Sequence, residues 1–195
     1  MKFYLKLGLI LLAFCIVATG ILAYVNSVTK PKIDLLKKQE AEEARAELIP
    51  NADFDSLYAP NGDEGITYYA ARDKTTGALK GYTFTAVKYG YSSNVKAMAA
   101  VDTLFNVIAI KVVEQAETPG LGANCLAESF TAQFKGKTPQ QLKVDKDGAE
   151  PPNCITSMTG ATITTRAITN SLKETIDIVK KDVEQRATQP KEEKK

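Results

Sequence analysis

The sequence predicts an α+β protein: a single N-terminal transmembrane helix and stalk, then one mainly antiparallel-sheet domain ending in a C-terminal helix. Three observations carry this. Leu7 to Val25 contains no charged residue, a run close to the roughly 20 residues that cross a bilayer core as a helix. From Ile66 to Gln115 the chain turns β-branched and aromatic, with turn signals between the runs. After Thr162, apolar residues at Ile168, Leu172, Ile176, Val179 and Val183 recur at spacings of four, four, three and four, which keeps one helix face buried.

The anchor comes first. Lys2 and Lys6 precede the apolar run, as in a secretory signal, but the run is long for a signal core and no Ala-x-Ala cleavage site follows. Bulky Phe14 before Cys15 also departs from a lipoprotein cleavage pattern. An uncleaved signal anchor is therefore expected over residues 1–32, with Val28-Thr29-Lys30-Pro31 as its exit linker. Lysines stand on both sides of it, Lys2 and Lys6 before and Lys30, Lys32, Lys37 and Lys38 after, so charge alone does not orient it.

Residues 33–50 read as a helix dense in Lys, Glu and Ala that ends at Ile49-Pro50. Polar on most faces, it is expected to be a solvated stalk. The domain is expected over 51–183. Its candidate strands are Ile66–Tyr69, Gly81–Val87, Val95–Val101 and Val107–Val113, with turns at Lys74–Gly77 and Asp102–Asn106. Such short connections favour antiparallel pairing, because a parallel crossover needs about a dozen residues or more. A helical piece carrying Phe130 and Phe134 follows, then a Pro-rich stretch to Asn153 and the final helix. The charged segment 184–195, with Pro190, is expected to be a disordered tail.

Composition removes whole classes of chemistry. The chain has no histidine, which excludes histidine-based nucleophile systems and histidine metal sites. Its three cysteines form no Cys-x-x-Cys pair, against a zinc or iron–sulfur centre. The 25 basic and 23 acidic residues are interspersed outside the ends, so no basic face points to nucleic acid.

Two loops remain. Thr159-Gly160-Ala161-Thr162-Ile163-Thr164-Thr165-Arg166 opens the last helix. Its first amides lack intrahelical acceptors and carry the positive end of the macrodipole, so it reads either as an anion site or as a capping turn. Glu117-Thr118-Pro119-Gly120-Leu121-Gly122 is a Pro-stiffened glycine loop. It is no dinucleotide fingerprint, since Cys125 stands where a third glycine belongs and no βαβ unit surrounds it.

Together the anchor, the Gly90-Tyr91-Ser92 start of a strand pair, the loop Glu117 to Gly122 and Thr159-Gly160-Ala161-Thr162 resemble the FMN-binding domain of respiratory redox complexes. The resemblance covers nearly the whole chain in order and is strongest to the G-subunit family of the Rnf electron-transport complex. The C-subunit of the sodium-pumping NADH:quinone reductase is similar but usually longer; a stand-alone extracytoplasmic flavin carrier and a non-redox membrane scaffold are the other readings. The resemblance implies FMN esterified through its phosphate to Thr162 by a separate flavin transferase. Gly160 and Ala161 would give access to that residue, Thr159 would belong to the same cofactor-binding turn, and Thr164 and Thr165 would either contact phosphate or cap the helix. Arg166 either pairs with the phosphate or joins a solvated face. Glu117, Thr118, Gly120, Leu121 and Gly122 would lie against the isoalloxazine ring, Leu121 covering its apolar face and Glu117 either tuning flavin protonation or capping the loop. No catalytic residue is expected, and any enzyme activity belongs to the assembled translocase.

The implied partners are the other proteins of a membrane redox complex and the transferase, and the domain is expected on the extracytoplasmic side of the cell membrane. Where the family pattern commonly has an aspartate four residues before the motif glycine, this chain has Thr156. Cys125 and Cys154 flank the two motifs, and both a disulfide and two separate thiols are compatible with that spacing.

Overall fold

The structure is a computed structural model that describes residues 2–61, 64–148 and 150–188. Two compact units divide the chain between Glu42 and Glu43. Helix α1 runs unbroken from Lys2 to Leu48 with Pro31 inside it, and its apolar N-terminal part is long and apolar enough to cross a membrane. The expected exit linker at 28–31 is therefore helical. Proline removes one hydrogen bond, and the Ala, Leu, Lys and Glu residues beyond it favour helix strongly enough to continue the ladder.

The second unit begins within the last turns of α1, so the segment 33–50 is not solvated throughout. Ala44, Leu48 and Ile49 are buried. The Arg45 guanidinium lies 4.0 Å from the centre of the Tyr69 ring, and Glu47 pairs with Lys111.

Five antiparallel strands follow in the order β1-β2-β3-β4-β5: Ala52–Asn61, Glu64–Asp73, Leu79–Tyr89, Asn94–Val101 and Val107–Glu114. The register pairs Tyr68 with Phe84, Phe84 with Ala99, and Ala99 with Ile110. Alternation puts Tyr68, Phe84, Val95, Ala97, Ala99 and Ile110 on one face, in a core shared with Ile168, Leu172, Ile176 and Val179 of the last helix. The opposite face carries Tyr69 and Lys111, the residues that meet the end of α1.

Strand β1 is not among the strands expected from the sequence, and its composition explains why. Asp53, Asp55, Ser56 and Pro60 are exposed and break the apolar alternation, as an edge strand permits.

After β5 the chain makes a 3-10 turn at Gly122–Leu126, the short helix α2 at Glu128–Thr131 and further single turns. Phe130 and Phe134 pack edge to face there, ring centres 5.4 Å apart. Helix α3, Thr162–Thr188, then lies on the sheet. It starts where the sequence predicts and runs through 184–188, five residues of the expected disordered tail. Arg186 holds this end: its Nε donates to Asp182 at 2.6 Å and a terminal nitrogen donates to the Tyr58 carbonyl at 2.6 Å. The rest of that tail, 189–195, lies outside the described residues.

Candidate functional site

The site forms where the turn before α3 meets the loop after β5. Residues 158–161 make a tight turn closed by the Ala161 amide on the Met158 carbonyl, 3.0 Å. Its third residue, Gly160, has φ 73°, a left-handed conformation that glycine adopts without Cβ strain. Buried Thr165 fixes the turn from below: its Oγ1 accepts the Met158 amide at 3.2 Å and donates to the Ala161 carbonyl at 3.0 Å. Thr162 is the first residue of α3 and half-buried. The amides of Thr162, Ile163 and Thr164 have no carbonyl acceptor earlier in the helix.

The second wall is the loop from Ala116 to Gly122. The Leu121 and Ala123 amides both donate to the Thr118 carbonyl, at 3.1 and 3.2 Å. Glu117 is 6% exposed. Its Oε1 accepts the amides of Ser92 and Ser93, each at 3.0 Å, and its Oε2 accepts the Tyr91 amide at 3.2 Å and the Thr164 hydroxyl at 2.8 Å. Burial alone would raise its pKa, but the Thr164 hydroxyl and these amides outweigh burial and hold it below the usual carboxylate value.

Between the walls lies a cavity of about 400 Å³, within the size range of small-molecule sites. Glu117, Thr118, Leu121 and Gly122 line one side, and Gly160, Ala161, Thr162 and Thr164 the other. Tyr91 and Ile163 complete the lining. Of the remaining sequence-predicted residues, Thr159 and Gly120 border a neighbouring groove that shares Leu121, and Thr165 is buried beneath the turn. The hydroxyls of Thr164 and Thr165 are engaged within the protein, on Glu117 and on Ala161.

Sequence pattern alone does not place the Tyr91 and Ile163 side chains at the cavity. Tyr91 follows Gly90 in the turn between β3 and β4, and only the fold brings that turn to the site. Ile163, half exposed, breaks the apolar spacing of α3, and that misfit is its signal.

Arg166 turns to Asp147, with Nε at 2.9 Å and a terminal nitrogen at 2.6 Å from the same carboxylate oxygen. Thr156 is exposed and its backbone is held at both ends by Gln133, whose side chain accepts the Thr156 amide at 2.8 Å and donates to its carbonyl at 3.5 Å. Cys125 and Cys154 are both buried and carry no disulfide. Burial and the nearby Glu117 charge push the Cys125 thiol up to about 11.

The cavity residues fit a flavin. Tyr91, Leu121 and Ile163 offer apolar surface to a planar ring, and a Cβ on Gly160 would stand 3.0 Å from Leu121 Cδ2, so the two walls approach closely. Among the described lining residues none is Lys or Arg, and the positive end of the α3 macrodipole lies at Thr162.

This sheet, cavity and paired loops define an FMN-binding domain: the family described as "FMN-binding domain" matches residues 90–177. The family described as "RnfG N-terminal region" matches residues 1–48. The chain is 35% identical over 167 residues to the G-subunit of the proton-translocating ferredoxin:NAD(+) oxidoreductase complex of Clostridium ljungdahlii, covering 85% of each chain. It is 31% identical over 193 residues to the G-subunit of the Na(+)-translocating complex of Acetobacterium woodii, covering 91% of this chain and 92% of that one. The chain belongs to the G-subunit family of ion-translocating ferredoxin:NAD(+) oxidoreductase complexes. Among solved structures it is similar to the C-subunit of the Na(+)-translocating NADH-quinone reductase from Parabacteroides distasonis, with TM-score 0.49, 21% identity and 65% of each chain covered.

Proposed function

We propose that this chain is the flavin-bearing member of an Rnf-type complex, with FMN joined through its phosphate to Oγ1 of Thr162, and that it relays electrons between neighbouring subunits. One observation carries the reading. Thr162 stands on the cavity wall at the first position of α3, half-buried, and no hydrogen bond among the described residues engages its hydroxyl. The Thr162 oxygen would replace one oxygen on the FMN phosphorus, that P–O bond breaking and the displaced oxygen and the threonine proton leaving as water in the net balance. One negative charge then remains beside amides that open a helix, a placement worth about 0.3 to 1 kcal/mol and more where buried.

When bound, the flavin supplies reversible electron transfer, and the chain supplies position and electrostatics. Leu121 and Tyr91 would exclude water from the ring, while Gly160 and Ala161 leave the threonine open to the transferase. A tether suits an extracytoplasmic domain, where a dissociating cofactor is lost by mass action. Pumping belongs to partner subunits, because the apolar run Leu7 to Val25 carries no charged residue to form an ion path.

Intact mass and peptide mapping of the protein from its native complex test the attachment. An increase equal to FMN less one water on the Thr162 peptide supports the reading, and an unmodified peptide overturns it. A reporter fused to the C-terminus tests the side of the membrane.

A further inference from the structure

We propose that Glu117 is the positioning residue of this site, its carboxylate joining the 91–93 turn, the 117–122 loop and the first turn of α3 into one cradle and setting a fixed negative charge against whatever the cavity holds. The proposal rests on the cavity being the flavin site.

The carboxylate is saturated. Besides three amides and the Thr164 hydroxyl, its Oε1 accepts the Ser93 hydroxyl at 3.3 Å. Five donors on two oxygens, which offer about four lone-pair positions, leave no acceptor capacity for a ligand. Glu117 therefore does not act by hydrogen-bonding the ring or by shuttling a proton.

Its place is built by omission. A Cβ on Gly90 would stand 2.7 Å from Oε1. A Cβ on Gly122 would stand 2.7 Å from Oε2 and 2.8 Å from Thr164 Oγ1. The carboxylate thus occupies the volume of two missing side chains, one beside the 91–93 turn and one in its own loop.

These contacts carry much of what ties the segments together. The 117–122 loop is closed by its own backbone bonds, and the 91–93 turn reaches the chain just before Glu117 through the Ala116 amide on Ser93 Oγ, 2.8 Å. From Glu117 to α3 the link is the Thr164 hydroxyl. An anion fixed in the cavity wall disfavours the arrival of further negative charge, so electron acceptance there becomes harder.

The test uses the full chain, with and without attached flavin, and the variants Glu117→Gln, Thr164→Val and Thr164→Ser. In the unloaded protein, amide exchange at Tyr91, Ser92 and Ser93 should quicken roughly tenfold or more in Glu117→Gln, as expected for lost hydrogen bonds to a charged group. Unchanged exchange at all three amides would overturn the cradle, whatever the fate of the flavin. In loaded protein the midpoint potential should rise in Glu117→Gln, which removes the charge. Equal potentials in wild type and Glu117→Gln would overturn the electrostatic part. Should Glu117→Gln not fold, Thr164→Val carries the cradle test: its Tyr91 exchange should quicken and Thr164→Ser should restore it, and failure of either overturns the cradle.

Discussion

Thr165 and Met158, seven residues apart, are joined by a hydrogen bond from the Met158 amide to Thr165 Oγ1 at 3.2 Å. The same hydroxyl donates to the Ala161 carbonyl, so one buried side chain spans the turn that presents Thr162. Thr165→Val keeps the shape and removes both bonds. It should cost about 1 to 3 kcal/mol, the penalty for stranding a buried polar group, and should slow flavin attachment. Chemical denaturation of the unloaded protein and the time course of transferase labelling check the two effects; wild-type values for both would refute them.

Glu117 also predicts a pH dependence. Its folded pKa lies below the usual value, so its contribution to stability is complete above the unfolded pKa of about 4.3 and disappears as pH falls through the lower folded value. Unfolding curves of wild type and Glu117→Gln should differ at pH 7 and converge under acid. A gap unchanged from pH 7 to acid would contradict this.

The far end of α3 offers an independent stability test. The Tyr68 hydroxyl, fully buried, donates to Asp182 at 2.7 Å, and burial together with that bond raises its pKa. Tyr68→Phe should cost about 1 kcal/mol, because Arg186 still pairs with Asp182. Asp182→Ala strands the buried Tyr68 hydroxyl and leaves Arg186 with the Tyr58 carbonyl, and should cost more. Urea titration in detergent orders the two variants, and flavin attachment at the opposite end of the helix should be unaffected.

Cys125 and Cys154 should behave as shielded thiols. Burial raises both pKa values, to about 11 for Cys125, so little thiolate exists near neutrality. Alkylation at pH 8 should label neither until the protein is denatured, with or without prior reduction. Labelling that requires reduction would reveal a disulfide.

The β2 to β5 strands and α3 are legible in the sequence because their apolar periodicities are strong. Strand β1 is hidden, since its acidic exposed residues resemble a loop, and so is the burial of Ala44 and Leu48, because their helix is polar overall. At the site, the motifs locate the two facing walls. They do not show that Thr164 and Glu117 bind each other, nor that Arg166 is taken by Asp147. Those pairings join residues 47 and 19 positions apart, a separation no local pattern encodes. Of the two roles open to Glu117, its five donors leave no lone pair for tuning flavin protonation and favour the one that caps the loop, from where its charge still acts on the cavity.

The sheet is a simple meander in which every strand pairs with its neighbour in sequence. Contacts so local form early in folding, whereas those that span long loops wait. The cavity draws on residues 91, 117 and 162, so it can close only when the last helix arrives. Pulsed exchange should find β3 and β4 protected before the Tyr91 to Ser93 amides, and modification of Thr162 in its native setting would then be a mark that folding is complete.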